Sequence, residues 1–191
     1  MGIGEPLDNF DNVVKFLYMI SDENGLNIGQ RNLSLSTCGL VPQIDRLAEL
    51  DLQITLSISL HAPNDQIRSQ TMPVNNKYNV DELISACRRY TEKTGRRISF
   101  EYALIKGVND SESHAHELCR LVSGMLCHVN LIPVNPIKER DFVQSESGAI
   151  QAFKNKLEKN RINVTIRREM GRDIDGACGQ LRRRHKEQTL Q

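Results

Sequence analysis

One cysteine near the end of the chain has surroundings that suit covalent chemistry. Cys178 lies between Ala177 and Gly179, so a bulky reactant could approach its sulfur closely. The basic run 182–186 follows it, and positive charges lower the pKa of a nearby thiol and attract phosphate. The same cysteine would also suit a buried structural position in a C-terminal helix. The choice between these interpretations depends on whether the rest of the chain offers a site for a reactant.

Polar residues follow four predicted strands at the points where the strands end. These segments are Gly4-Glu5-Pro6, Ser36-Thr37-Cys38-Gly39, Ser59-Leu60-His61 and Pro133-Val134-Asn135-Pro136. Strand and helix patterns alternate at about 25–35 residues per unit, which is typical of right-handed β-α-β units and a parallel sheet. Because ligands bind at the C-terminal edge of such a sheet, we expect the four segments to face one common mouth.

The residue types in these segments match the groups of one cofactor. A carboxylate at Glu5 suits an ammonium group, and the hydroxyls of Ser36 and Ser59 suit a ribose. The backbone around Leu60 could pair with a purine edge, and Asn135 between two prolines offers both a donor and an acceptor. An ammonium, a ribose and an adenine occur together in S-adenosylmethionine. Each segment alone would equally suit a turn or a strand cap.

Hydrophobic periodicity predicts the elements that position these residues. Helices are expected over 9–24, from residue 41, after Asn64 or Asp65, and over 80–90, 113–123 and 147–160; strands are expected over 33–36, 53–61, 97–105, 127–134 and 163–167. The opening Gly-Glu-Pro turn is typical of the end of a strand, so we expect the chain to begin inside a larger fold. The predicted fold class is α/β with a parallel sheet, and a sheet that lacks strands has an exposed edge that favours aggregation.

Composition limits the class of protein further. The 191 residues suit one domain, and the net charge of +1 restricts any RNA contact to local basic patches. The five cysteines include no Cys-x-x-Cys pair and no Cys/His zinc pattern, so we expect free thiols in a reducing cytoplasm. Apolar runs are too short for a membrane span, and no membrane partner is predicted.

Five segments in this order resemble the RlmN family of radical S-adenosylmethionine methyltransferases. They are Gly2 to Leu7, Leu35 to Gly39, Ser59 to Asn64, Asn130 to Pro136 and Asp173 to Leu181. The resemblance covers essentially the whole chain. It implies an incomplete (β/α) barrel of the radical SAM type that lacks the first strand and helix unit and the N-terminal domain. It also implies one domain over 1–191, in which an extension over about 161–191 carries the reactive cysteine.

The resemblance implies a role for each candidate residue. The implied cofactor-binding residues are Gly4, Glu5, Ser36, Ser59, Leu60, His61 and Asn135. Glu5 with Gly4 would contact the methionine part of S-adenosylmethionine, and Ser36 would contact its ribose. Cys178 would carry a methyl group taken from one cofactor molecule. A radical formed from a second cofactor molecule would then let that carbon add to C2 of adenine in 23S ribosomal RNA or transfer RNA.

The sequence departs from the family in one respect. A Cys-x-x-x-Cys-x-x-Cys motif holds the family's [4Fe–4S] cluster, and this chain has no such motif. The resolving cysteine and a glutamate base of the family also precede the Gly-Glu-Pro turn. We therefore expect a truncated form that is inactive by itself, with no metal ligand in this chain. The full-length protein is expected to be a cytoplasmic monomer.

Other interpretations remain open. A Cfr-like enzyme would methylate adenine at C8 with the same cofactor and thiol, and a non-catalytic RNA-binding remnant would need neither. A small α/β enzyme with Cys178 as nucleophile would need a histidine base such as His185. The expected RNA contacts are Lys138, Arg140, Arg167-Arg168 and the run 182–186, whereas Arg88-Arg89 and Arg96-Arg97 are interpreted as solvated surface.

Overall fold

The computed structural model describes residues 4–134 and 142–167, which form a five-stranded parallel sheet and its helices. The strands are β1 (Ser34–Thr37), β2 (Thr55–Ser59), β3 (Ile98–Leu104), β4 (Cys127–Pro133) and β5 (Asn163–Ile166). The helices are α1 (Phe10–Ser21), α2 (Val41–Ala48), α3 (Asp65–Thr71), α4 (Val80–Thr94), α5 (Glu112–Val122) and α6 (Ser147–Lys159). The strands lie side by side in their chain order, and every neighbouring pair is parallel.

Capping residues account for the helix boundaries. Asn64 begins α3 by accepting a hydrogen bond from the amide of Ile67 at 3.0 Å. Helix α4 begins with a capping box and ends at Gly95, whose φ of +63° suits glycine. Helix α1 is shorter than predicted, because residues 6–9 form a 3₁₀ turn and the side chain of Asp22 accepts from the amide of Asn24. The turn at Asp22 ends the helix before residue 24.

The helices that connect successive strands pack on one face of the sheet. Right-handed crossovers between strands in sequential order place all their helices on the same side. The strand residues that point to this side are buried and apolar, among them Leu35, Leu56, Ile58, Ile98, Phe100, Tyr102, Leu104, Val129 and Leu131. They share one core with residues of α2, α4, α5 and α6, and the rings of Tyr102 and Phe153 lie 5.3 Å apart.

The opposite face of the sheet is polar. This side, called the polar face below, carries Ser34, Ser36, Thr55, Ser57, Ser59, Ser99, Glu101, His128, Asn130, Asn163 and Thr165, with Ala103 and Ile132 as its apolar members. Parallel sheets are usually covered by apolar packing on both faces, so a regular polar alternation is unusual. This pattern indicates that the polar face can form hydrogen bonds with a ligand.

The predicted fold class is confirmed. The described strands form an open sheet in which β1 and β5 each have one neighbour, which is the architecture of an incomplete α/β barrel. Strand β2 ends at Ser59, two residues before the predicted boundary. It ends there because the amide of His61 bonds the same Glu101 carbonyl that already accepts the ladder bond from Leu60, and the backbone of His61 is left-handed. Among the described helices, none is long and apolar enough to cross a membrane.

Candidate functional site at the strand ends

Glu5 lies at the C-terminal end of β1, although it precedes the start of that strand by 29 positions in the sequence. Its Oε2 atom accepts a hydrogen bond from the amide of Cys38 at 2.7 Å, and its Oε1 atom accepts from the amide of Leu7 at 3.1 Å. Gly4 has a φ of +107°, which L side chains rarely adopt, so glycine allows the turn that directs Glu5 toward β1. Each carboxylate oxygen keeps a lone pair for a ligand's ammonium group.

Arg68, which sequence reasoning missed, joins the ends of β1 and β2. Its side chain is fully buried. Its Nη2 atom donates to the carbonyls of Cys38 at 2.7 Å and Ser59 at 3.3 Å, and its Nε atom donates to the carbonyl of Leu60 at 3.2 Å. Strand-end carbonyls would otherwise be buried without donors, so one guanidinium holds both strand ends in a fixed relation.

A second set of contacts holds Arg68 itself in place. Its Nη1 atom donates to Oδ1 of Asn75 at 3.0 Å, and the amide group of Asn75 donates to Asp65 at 2.9 Å. No carboxylate forms an ion pair with Arg68 within the part of the chain that the structure describes. Burial therefore lowers the pKa of Arg68, and the nearby charge of Asp65 opposes that shift. The available sequence signal was an arginine on the inward side of a short helix.

His61 is held in a left-handed backbone conformation with a φ of +59°. Its Nδ1 atom accepts from the amide of Ala103 at 3.1 Å, and its carbonyl accepts from the side chain of Asn109 at 2.8 Å. Burial, together with the charge of Arg68, lowers the pKa of His61 to about 4. The imidazole is therefore neutral at neutral pH, with its proton on Nε2, and it can offer a ligand a donor there.

The segment from Ser59 to His61 offers a ligand carbonyl oxygens and no backbone donors after Ser59. The amides of Leu60 and His61 both donate to the carbonyl of Glu101, at 3.1 and 3.2 Å. Leu60 is fully buried, so its carbonyl is as inaccessible to a ligand as its side chain, and the acceptors that remain are the carbonyls of the partly exposed Ser59 and His61. In the predicted pairing with a purine edge, the backbone here can therefore only accept hydrogen bonds, for example from the exocyclic amine of adenine. A carbonyl that already accepts one bond can do so because it has a second lone pair.

The structure brings three of the four predicted strand-end segments together at one edge. Glu5 reaches β1 directly, and Arg68 connects the carbonyls that follow β1 and β2. Ser36 and Ser59 lie on the polar face next to this edge. Asn135 and Cys178 lie outside the described residues, as do Lys138, Arg140, Arg168 and the run 182–186. Their roles therefore stay predictions.

The described cysteines have raised pKa values. Burial, reinforced by the carboxylate of Glu5, raises the pKa of Cys38 to about 12, and burial raises that of Cys127 to about 11. Burial also raises the pKa of Cys87 and of Cys119. These thiols stay protonated at neutral pH and are poor nucleophiles. Cys178 is thus the cysteine left as a candidate for thiolate chemistry.

The described residues do not fit the ligand set of an iron–sulfur cluster. Over 4–134 and 142–167, no three or more His, Cys, Asp or Glu side chains converge on a point that could hold a metal ion. Cluster ligation requires thiolates, and the described cysteines lie apart with raised pKa values.

Both arginines of the basic pair Arg88-Arg89 have structural partners. Arg88 donates to the carbonyls of Leu121 and Ser123 at 2.9 and 3.1 Å, at the end of α5. Arg89 forms a two-bond ion pair with Asp45. Both arginines lie on the helical side of the sheet and away from the polar face, which agrees with their interpretation as surface residues without a role in RNA binding.

Sequence comparison agrees with this geometry. Residues 1–119 match the radical SAM superfamily, and the chain belongs to that superfamily. A protein of Lachnospira eligens described as a probable dual-specificity RNA methyltransferase RlmN is 64% identical over 187 residues, which cover 98% of this chain and 53% of the relative. A protein of Clostridium novyi with the same description is 62% identical and covers 97% of this chain. The resemblance to RlmN enzymes is thereby confirmed.

Solved structures give the same result for the fold. A radical SAM methyltransferase from Sphaerobacter thermophilus superposes with a TM-score of 0.90 at 49% identity, over 94% of this chain and 53% of that one. A domain of a pyruvate-formate lyase-activating enzyme from Bacteroides vulgatus superposes with a TM-score of 0.65 at 17% identity, which shows the shared fold alone. The chain spans about half the length of the curated relatives it matches.

Proposed function

We propose that this chain forms the cofactor-binding part of a radical SAM methyltransferase that modifies C2 of adenine in 23S ribosomal RNA and in transfer RNA. The observation that carries the proposal is the carboxylate of Glu5, which two backbone amides hold at the end of β1 beside the polar face. The similarity to RlmN relatives supports RNA as the substrate. An RNA substrate of this kind implies a cytoplasmic enzyme, and we expect the complete protein to be a monomer.

In this proposal the described residues bind and orient S-adenosylmethionine. The carboxylate of Glu5 accepts from the ammonium of the methionine part, where Gly4 leaves open space. Ser36 and Ser59 hydrogen-bond the ribose, and the carbonyl of the partly exposed His61 accepts from the adenine amine. Asn135 completes the site. The bound cofactor supplies a transferable methyl group and, in the complete enzyme, the radical that the reaction needs.

The proposed role of Cys178 follows from the chemistry of the target carbon. The C2–H of adenine is neither acidic nor nucleophilic, so polar methyl transfer to that carbon fails. A methyl group carried on sulfur can instead deliver its carbon to the ring after hydrogen is removed from it. Gly176 and Gly179 beside the thiol give the backbone the conformational freedom for this delivery.

A chimera tests this proposal with the machinery that relatives possess. The 191 residues replace the aligned half of the Lachnospira eligens relative, and ribosomal RNA from cells that lack the endogenous enzyme is digested and analysed by mass spectrometry. We expect C2-methyladenosine from the chimera and none from its Cys178→Ala variant, whereas Cys119→Ala, a change of a buried cysteine on α5, keeps the product. C8-methyladenosine would favour the Cfr-like alternative.

The isolated chain gives a separate test of the proposed inactivity. Because the sequence has no Cys-x-x-x-Cys-x-x-Cys motif, we expect no 5′-deoxyadenosine after anaerobic reconstitution with iron and sulfide. Release of 5′-deoxyadenosine by the purified 191 residues would contradict that part of the proposal.

The chimera also tests the non-catalytic alternative. That alternative would be favoured if the chimera bound RNA without forming any methylated product and if Cys178→Ala left this RNA binding unchanged.

A further inference from the structure

The polar face holds a carboxylate that the strand-end site does not use. Glu101 lies in the middle of β3, where it pairs in register with Ser59 of β2 and with Asn130 of β4. Asn130 pairs in turn with Thr165 of β5, so four polar residues form one row across the sheet. Neighbouring strands lie about 4.8 Å apart, so Glu101 is the nearest acidic neighbour of Ser59 on this face.

Hydrogen bonds along this row run in one direction and end at Glu101. Nε2 of His128 contacts Oγ1 of Thr165 at 2.9 Å, and Thr165 donates to Oδ1 of Asn130 at 3.2 Å. The amide group of Asn130 donates to Oε2 of Glu101 at 2.7 Å, and Ser99 donates to Oε1 at 3.1 Å. The carboxylate is therefore oriented from two sides, and Asn130 is itself held by Thr165.

This carboxylate retains acceptor capacity and forms no ion pair with a described lysine, arginine or histidine. A carboxylate has about four lone-pair sites, and two of them are used here. None of the ion pairs found over 4–134 and 142–167 includes Glu101. The residue is half-buried on a face that no helix of the described sheet covers, so its remaining lone pairs point to where a ligand can supply donors.

We propose that Glu101 is a ribose-recognition residue that accepts a hydrogen bond from the 2′- or 3′-hydroxyl of the bound nucleoside. The inference rests on the proposed function, because it assumes that S-adenosylmethionine lies over Ser36 and Ser59. Two vicinal hydroxyls supply the donors that the oriented carboxylate lacks, and carboxylates recognise ribose diols in the same way in dinucleotide-binding proteins. Serine hydroxyls alone would not distinguish ribose from deoxyribose as strongly as a charged acceptor does.

Binding of S-adenosylmethionine and its 2′-deoxy and 3′-deoxy analogues to the 191-residue chain tests this assignment by calorimetry. For the wild type we expect at least one deoxy analogue to bind about tenfold or more weakly than S-adenosylmethionine, as the loss of a hydrogen bond to a charged group predicts. The Glu101→Gln variant should bind S-adenosylmethionine more weakly than the wild type by a similar factor. Its affinity for the deoxy analogue that the wild type binds weakly should stay within about threefold of the wild-type value. Glu92→Gln, a change of an exposed residue on α4, should change none of these affinities.

Each other result has a definite meaning. Equal affinity of the wild type for all three ligands overturns the inference even if Glu101→Gln fails to fold. Equal weakening of all three by Glu101→Gln also overturns it, because the residue then acts only through the structure. An unchanged affinity for S-adenosylmethionine in Glu101→Gln overturns the inference and leaves the cofactor site intact. Absence of binding by the wild type would contradict the proposed function together with this inference.

Discussion

Replacing Arg68 with methionine should destabilise the edge of the sheet where β1 and β2 end. The guanidinium makes four hydrogen bonds, to the carbonyls of Cys38, Ser59 and Leu60 and to Asn75. Arg68→Met keeps much of the side-chain volume but leaves these buried acceptors without a donor, at about 1 kcal/mol or more each. We therefore expect a loss of about 3–5 kcal/mol in the free energy of unfolding, a large share of the roughly 5–15 kcal/mol of a typical domain.

Urea unfolding followed by circular dichroism measures this loss. The matched control is Arg89→Met, which breaks an ion pair with Asp45 whose side chains are 52% and 41% exposed. Exposed ion pairs contribute below about 1 kcal/mol, so this control should stay close to the wild type. Asn75→Ala should fall between the two variants, because it removes one partner of Arg68 and leaves the strand carbonyls bonded. A loss below about 1 kcal/mol for Arg68→Met would refute the assignment of Arg68 as the link between β1 and β2.

Three further predictions concern backbone strain, pH and thiol reactivity. Gly39→Ala should destabilise the protein by about 2 kcal/mol or more, because the position has a φ of +105° and a new Cβ would lie 2.8 Å from Leu83. The control Gly148→Ala, in open space on α6, should stabilise the protein by up to about 1 kcal/mol. The urea midpoints of the two variants and the wild type measure both effects. The folded pKa of His61, about 4, lies below the unfolded value of 6.5, so the unfolded state binds more protons between these values. The contribution of neutral His61 to the free energy of unfolding is complete above about pH 6.5 and should fall by about 2–3 kcal/mol toward pH 4. Asparagine tolerates the left-handed φ, so His61→Asn should remove this pH dependence from the free energy of unfolding. Cys38 should resist iodoacetamide at pH 7.5 because its pKa is about 12, and peptide mapping that finds it alkylated as fast as free cysteine would contradict that pKa.

Alternating hydrophobicity made the sheet predictable. Strands β3 and β4 alternate buried and half-buried residues throughout, so the period of two was visible in the sequence. The end of β2 was predicted two residues late because Leu60 continues the apolar pattern. The strand stops there because the amide of His61 bonds the same Glu101 carbonyl as the amide of Leu60 and the backbone of His61 turns left-handed, which are features that local periodicity does not report.

The candidate site was predictable only in part. Glu5 and the ends of β1 and β2 were identified because parallel strands collect polar residues at one edge. Arg68 and the row through Glu101 were missed, since both depend on which residues of distant strands lie in register. Asn109 was missed for the same reason: its side chain bonds the carbonyls of His61 and Ala103 from a turn after β3.

Location of bound S-adenosylmethionine in a crystal structure of the Lachnospira eligens chimera tests the central claim most directly. We predict that the ammonium lies within hydrogen-bond distance of Glu5 and that the ribose lies over Ser36 and Ser59 on the polar face. A nucleoside bound on the helical side of the sheet, or on the polar face without contact to Glu5, would contradict the account.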